Sequence, residues 1–139
     1  MSDTETRAFL TAGTRTGKLA VVKRDGSAHV VPIWFVVDDD GALVFNTGAE
    51  TIKGRAVRRD ARVSICVDDE APPYAYVGIE GVAEISEDLD AMLPWSTAIA
   101  RRYMGDDFAE AFGRRNAVAG ELLVRVRPTR VVARAGIAD

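Results

Sequence analysis

Lys18-Leu19-Ala20-Val21-Val22-Lys23-Arg24-Asp25-Gly26-Ser27-Ala28-His29-Val30-Val31-Pro32-Ile33-Trp34-Phe35-Val36-Val37 is the stretch that decides the fold. Its first six residues are a strand by composition. Asp25-Gly26 is a tight-turn signature, because Gly reaches positive φ without steric cost. Ala28 to Val37 is rich in β-branched and aromatic residues and reads as a second, longer strand. Asp38-Asp39-Asp40-Gly41 turns the chain again, and Ala42 to Thr47 makes a third strand. Residues 18–47 are therefore expected to form a meander of three strands.

The pattern continues on both sides. Thr4 to about Ala12 reads as a short helix with Phe9 and Leu10 on its apolar side, stopped at Gly13. A short basic helix follows the third strand, with Thr51 as its cap. Arg62 to Asp68 alternates, with Val63, Ile65 and Val67 on one face. Pro72-Pro73 leads into a long strand, Tyr74 to Ile85. Asp88 to Met104 is helical, with a break expected near Leu93 because Pro94 lacks an N–H. Asp106 to about Arg115 is another helix. Leu122 to Arg127 is a strand, Pro128-Thr129 a turn, and Val131 to Ala133 a last strand. Six or seven strands with few short helices predict a mainly β fold, a closed or nearly closed barrel that leaves no long exposed edges. No linker or repeat divides the chain, so residues 1–139 read as one domain.

Composition narrows the function. The chain has 139 residues, 47% hydrophobic and 28% charged, enough to bury a core. Its one cysteine, Cys66, permits no internal disulfide and no thiolate metal cluster. Its one histidine, His29, excludes a multi-histidine metal site, and no metal ligand set is expected. A net charge of -3 argues against nucleic acid, which needs a broad basic face. There is no membrane-length apolar run, and the polar start is unlike a secretory signal, so a cytoplasmic location is expected.

Within this acidic chain one segment is basic. Thr51-Ile52-Lys53-Gly54-Arg55-Ala56-Val57-Arg58-Arg59-Asp60-Ala61-Arg62 carries five of the 18 Lys and Arg against one acid. Helix N-termini favour anions because their unpaired N–H groups point outward. A lysine in that first turn makes a compact phosphate site.

Groups able to do chemistry themselves are scarce. The hydroxyls lack a base other than His29, which reads as a strand surface residue. Cys66, mid-strand between apolar neighbours, reads as a small buried core residue. The acidic pairs and triples at Asp38–Asp40, Asp68–Glu70 and Asp106-Asp107 read as solvated turn acids. No catalytic residue is assigned. Such a protein still catalyses if a cofactor carries the reaction.

Several short motifs, taken in order, resemble one family. His29-Val30-Val31-Pro32-Ile33-Trp34-Phe35, then Asn46-Thr47, Lys53-Gly54-Arg55, Arg58 to Ser64, and Ile79-Glu80-Gly81-Val82-Ala83-Glu84 are similar to the flavin and deazaflavin split-barrel proteins, relatives of pyridoxine 5′-phosphate oxidase. The resemblance covers nearly the whole chain and is nearest to the actinobacterial reductases that use coenzyme F420.

The resemblance implies a homodimer with the cofactor at its interface. The ring would lie on the backbone of Val31, Pro32, Ile33 and Trp34, with Trp34 either lining the pocket or serving as a core or interface aromatic. Thr47, Thr51 and Lys53 would meet the phosphate, and Asn46 would be a further cofactor contact. Arg55 or Arg59 would serve a longer anionic tail, since residues around a helix cannot all reach one phosphate. The partner would contribute Tyr76, Val77 and Gly78. The implied function is a hydride-transferring reductase of a conjugated small molecule that uses coenzyme F420. An FMN-dependent oxidoreductase of the same fold, or a non-catalytic cofactor carrier, is the alternative.

Overall fold

A computed structural model describes all residues, Met1–Asp139. The order of elements is α1 (Asp3–Thr11), β1 (Gly17–Val22), β2 (Ala28–Ile33), β3 (Val36–Val37), β4 (Leu43–Gly48), α2 (Ile52–Arg59), β5 (Arg62–Asp69), β6 (Ala75–Ser86), α3 (Leu89–Met104), α4 (Asp106–Asn116) and β7 (Glu121–Arg134). All seven strands join one antiparallel sheet in the order β2-β1-β5-β6-β7-β4-β3.

That order forces the sheet to curl. Its two edge strands, β2 and β3, are separated by only Trp34 and Phe35 in the chain. The three steps from Ile33 to Val36 span at most roughly 10 Å, so the end of one edge strand lies close to the start of the other. They are not paired, and the barrel stays split there.

The split corrects the expected long second strand. The Phe35 N–H donates to the Tyr103 hydroxyl at 3.2 Å, and its carbonyl accepts from Arg102 at 2.8 Å. Both backbone groups that a continuous strand would need are thus taken by α3. The three-strand meander is corrected with it. β1 lies between β2 and β5, while β4 lies between β7 and β3.

Alternation along the strands fills the barrel. Leu19, Phe35, Phe45, Ile65, Val77 and Val124 are among the fully enclosed side chains. The other face of β4 and β7 carries Val44 and Leu123, which pack under Met92 of α3. α3 therefore covers the outside of the sheet beside the split.

Three further expectations change. α3 runs through Pro94 unbroken. Pro94 lies near the turn that Asp88 caps, so it forfeits a single ladder bond, the one to Asp90. The C-terminal strand is continuous, and the expected turn at Pro128-Thr129 is a bulge opposite Glu80 and Gly81, with Thr129 as the extra residue. Asp38 is not a solvated turn acid. It is buried, accepts from the amides of Asp40 and Ala42 at 2.9 Å each, and pairs with Arg125.

Candidate functional site

Helix α2 begins where β4 ends, and local signals fix its start. Thr51 is the N-cap: its hydroxyl accepts from the Gly54 N–H at 3.0 Å and lies 2.8 Å from the Gly48 carbonyl. The Arg55 N–H reaches the Thr51 carbonyl at 2.9 Å. The amides of Ile52 and Lys53 are left without an intrahelical partner, as at any helix start.

Gly54 explains how the helix comes so close to the strand. A Cβ there would fall 2.1 Å from the Gly48 carbonyl oxygen. The glycine lets the first turn of α2 seat against the end of β4.

Thr47 and Thr51 were expected to touch the phosphate. Their hydroxyls instead lie 3.0 Å apart and bond each other, and Thr47 is buried. With Gly48 and Gly54 they use up the Thr51 hydroxyl. These two residues build the corner, and the groups left for an anion are the Ile52 and Lys53 amides and the Lys53 ammonium.

Beside this corner the structure opens a cleft of about 280 Å³ lined by Pro32, Ile33, Trp34, Asn46, Lys53, Ile99 and Asn116. Five of the residues singled out from the sequence therefore converge, from three separate elements and the break after β2. Pro32 is exposed on an edge strand, where its missing N–H disturbs no inner ladder. Val31 is half-buried and pairs with Leu19, outside the cleft lining.

Trp34 lines the cleft, and its indole stacks flat on Tyr103 with ring centroids 5.1 Å apart. Burial raises the Tyr103 pKa. The phenol thus keeps its proton and donates it to the Arg15 carbonyl at 2.8 Å. Arg102 binds the carbonyls of Leu10 and Gly13 as well as Phe35, at 2.8 to 2.9 Å. The wall that carries Trp34 is thereby tied to both α1 and α3.

Asn46 projects from the outer face of β4. Its Oδ1 accepts from Ser96 at 2.7 Å, while its Nδ2 is buried with no partner. A buried donor without an acceptor costs about 1–3 kcal/mol. A ligand carbonyl or phosphate oxygen in the cleft would satisfy it, so the residues present fit a ring with polar edges and an anionic end.

Arg55 and Arg59 lie elsewhere. With Lys23, Arg24 and Ile52 they line a second cleft of about 380 Å³ on the other side of α2. Arg55 is shared with Glu50 at 2.9 Å, and Arg59 donates to the Val22 carbonyl at 3.1 Å. Lys23 and Arg24 were missed from sequence. Their signal was the basic turn after β1, whose position beside α2 depends on the folded chain.

Tyr76 and Gly78 are not near Lys53 within one chain. They line a shallow groove of about 460 Å³ on the outer face of β1, β2, β5, β6 and β7, with Val30, Ser64 and Cys66. Val77 points into the core and offers a ligand its backbone alone. Cys66 is exposed in this groove, not buried as expected, since Val63, Ile65 and Val67 take the inward positions. Partial desolvation by the groove walls and the neighbouring Asp68 raise the pKa of its thiol.

No group of three or more His, Cys, Asp or Glu side chains is arranged to hold a metal ion. No helix is long and apolar enough to cross a membrane.

Comparison with known proteins places this geometry. The family model described as pyridoxamine 5′-phosphate oxidase matches residues 2–134. Among solved structures, the conserved hypothetical protein Rv2991 from Mycobacterium tuberculosis is 30% identical, with a TM-score of 0.85 over 98% of this chain and 86% of that one. An F420 reductase is 26% identical, with a TM-score of 0.74 over 90% of this chain and 94% of that one. The heme storage protein HutZ from Vibrio cholerae shares the fold, at 18% identity and a TM-score of 0.74 over 94% and 92% of the two chains. No curated protein matches the sequence.

Proposed function

Because the chain belongs to the pyridoxamine 5′-phosphate oxidase family, we propose that it is a coenzyme F420-dependent reductase of a conjugated small molecule, acting as a homodimer in the cytoplasm. The observation that carries this reading is the convergence of Pro32, Ile33 and Trp34 with Asn46 and Lys53 in one cleft. The similarity to an F420 reductase at 26% identity supports it.

In this reading Lys53 and the free amides of α2 hold the cofactor phosphate. The Asn46 amide donates to a polar edge of the ring, and Trp34, backed by Tyr103, walls it on one side. A bound reduced deazaflavin would supply the hydride. The chain's own task is to hold ring and acceptor in contact and to exclude water, which accords with its lack of an acid–base pair.

The second cationic cleft favours the deazaflavin over FMN. FMN ends at its phosphate. Coenzyme F420 continues into a glutamate tail, and Lys23, Arg24, Arg55 and Arg59 offer positive charge for it. Lys53 and the two amides alone would suit FMN equally, which makes an FMN-dependent oxidoreductase the second reading.

A second copy would cover the open sheet face. Val30 on that face is 65% exposed, and a Cβ at Gly78 would meet nothing closer than 3.8 Å. The fold of one chain does not itself require a glycine there. A close approach from a partner would.

The deciding experiment is a fluorescence titration of the purified protein with coenzyme F420 and, separately, FMN. Micromolar or tighter binding of F420, followed by its reoxidation with a panel of enones and quinones, supports the proposal. A yellow protein that releases FMN on denaturation favours the second reading. Tight F420 binding with no acceptor turned over favours a carrier.

A further inference from the structure

Two acids flank the phosphate corner: Glu50 is exposed and paired with Arg55, whereas Glu121 is partly buried, and its position raises a question of charge. It begins β7 directly opposite Gly48. A Cβ placed on Gly48 would lie 3.3 Å from the Thr51 methyl and 3.9 Å from Glu121 Oε2. The carboxylate therefore reaches into the corner formed by β4 and α2. Its Oε2 is buried and has no hydrogen-bond partner.

An ionised carboxylate at an anion site repels the anion. A neutral carboxyl at the same place is a hydrogen-bond donor to it. The surroundings favour the neutral form. Lys53 of α2 is the charged group acting on Glu121. β4 brings only Gly48 and the amide of Asn46, while α3 and α4 bring Ser96 and Asn116 to the adjoining cleft, all uncharged. Burial raises the Glu121 pKa and outweighs the opposing pull of Lys53. An anion that engages Lys53 would weaken that pull and add its own repulsion.

We propose that Glu121 is a further residue of the anion site, one that takes a proton from solvent as the anion binds and then donates that O–H to an anion oxygen. The balance is simple: hydronium or a buffer acid gives up one proton, its bond to that proton breaks, and one O–H bond forms on the carboxylate. The consequence is selective. A phosphodiester, such as that of the deazaflavin, is already fully ionised in this range and has no P–OH left to give, so the proton must come from solvent. A phosphomonoester such as FMN can bring its own. This inference rests on the reading of the Lys53 corner as a phosphate site, and sulfate separates it from the cofactor proposal because sulfate stays fully ionised over the range used.

The test is carbon-detected NMR of the Glu121 carboxyl, titrated from pH 4 to pH 8 with and without sodium sulfate, at ionic strength matched with chloride. Sulfate is expected to raise the Glu121 midpoint by about one pH unit or more and to shift the amides of Ile52 and Lys53. Lys53→Ala should abolish both responses. In Glu121→Gln, which keeps the side-chain shape, sulfate affinity should lose its pH dependence. Two results overturn the proposal: amide shifts with an unmoved Glu121 midpoint, or no sulfate response at all. If sulfate moves the midpoint while coenzyme F420 and FMN change nothing, the cofactor reading fails and the proton linkage stands.

Discussion

The indole of Trp34 lies parallel to the ring of Tyr103, with an interplanar angle of 4°. The contact joins the break in the barrel to α3 and fixes one wall of the cleft. Tyr103 also bridges the Phe35 N–H and the Arg15 carbonyl through its hydroxyl. Tyr103→Phe keeps the stack, worth about 0.5–1.5 kcal/mol, but strands the Phe35 N–H. We expect it to lower stability by about 1–3 kcal/mol in urea unfolding. An unchanged midpoint would mean that the break holds without the hydroxyl.

Arg102 ties the same wall to α1. Its guanidinium spans the carbonyls of Leu10, Gly13 and Phe35 and lies over the Phe35 ring, 4.7 Å from its centroid. A lysine is a single point donor and cannot span three carbonyls. Arg102→Lys should cost about 2–3 kcal/mol, the scale of a charged hydrogen bond plus an unsatisfied carbonyl. Thermal unfolding checks this, and a melting temperature equal to that of the parent protein would count against the tie.

Two glycines should respond in opposite ways. Gly→Ala in a helix ordinarily gains about 1 kcal/mol. At Gly54 the new Cβ would meet backbone at 2.1 Å, and overpacking costs about 1–3 kcal/mol. Gly54→Ala should therefore be net destabilising and should loosen the anion corner. Gly78→Ala should leave the unfolding midpoint of the single chain within about 0.5 kcal/mol yet impair self-association, as measured by sedimentation. A Gly78→Ala protein that dimerises normally would remove that face from the proposed interface.

Glu121 makes stability depend on pH in a defined direction. Its carboxyl holds a proton more tightly in the folded chain than at its ordinary value of 4.5. Between that value and the raised one the folded state binds more protons, so stability falls as pH rises through the window. Glu121→Gln should accordingly melt higher than the parent at pH 8 and show no such gain at pH 4. Equal curves at both values would show that the folded chain does not disfavour the carboxylate.

The start of α2 was legible because its signals are local. Thr51 as a cap, Gly54 and the basic first turn are fixed by neighbouring residues, and the chain folds there as they dictate. The end of the second strand was not legible, because Tyr103 and Arg102 decide it from 68 and 67 residues away. Pro128-Thr129 reads as a turn in isolation and becomes a bulge only against β6. The exposure of Cys66 was already implied by the inward alternation of Val63, Ile65 and Val67, and the general habit of free cysteines obscured it. Neither Asn46 Nδ2 nor Glu121 Oε2 announces in sequence that burial will leave it without a partner.

The most direct test of the cofactor site is a paired titration of the parent protein and Lys53→Ala with coenzyme F420, followed by fluorescence. The parent should bind at micromolar concentration or below. Lys53→Ala should bind about 10- to 150-fold more weakly, the equivalent of roughly 1.5–3 kcal/mol for hydrogen bonds to a charged group. A parent that fails to bind F420, or a Lys53→Ala variant with unchanged affinity, would contradict the account.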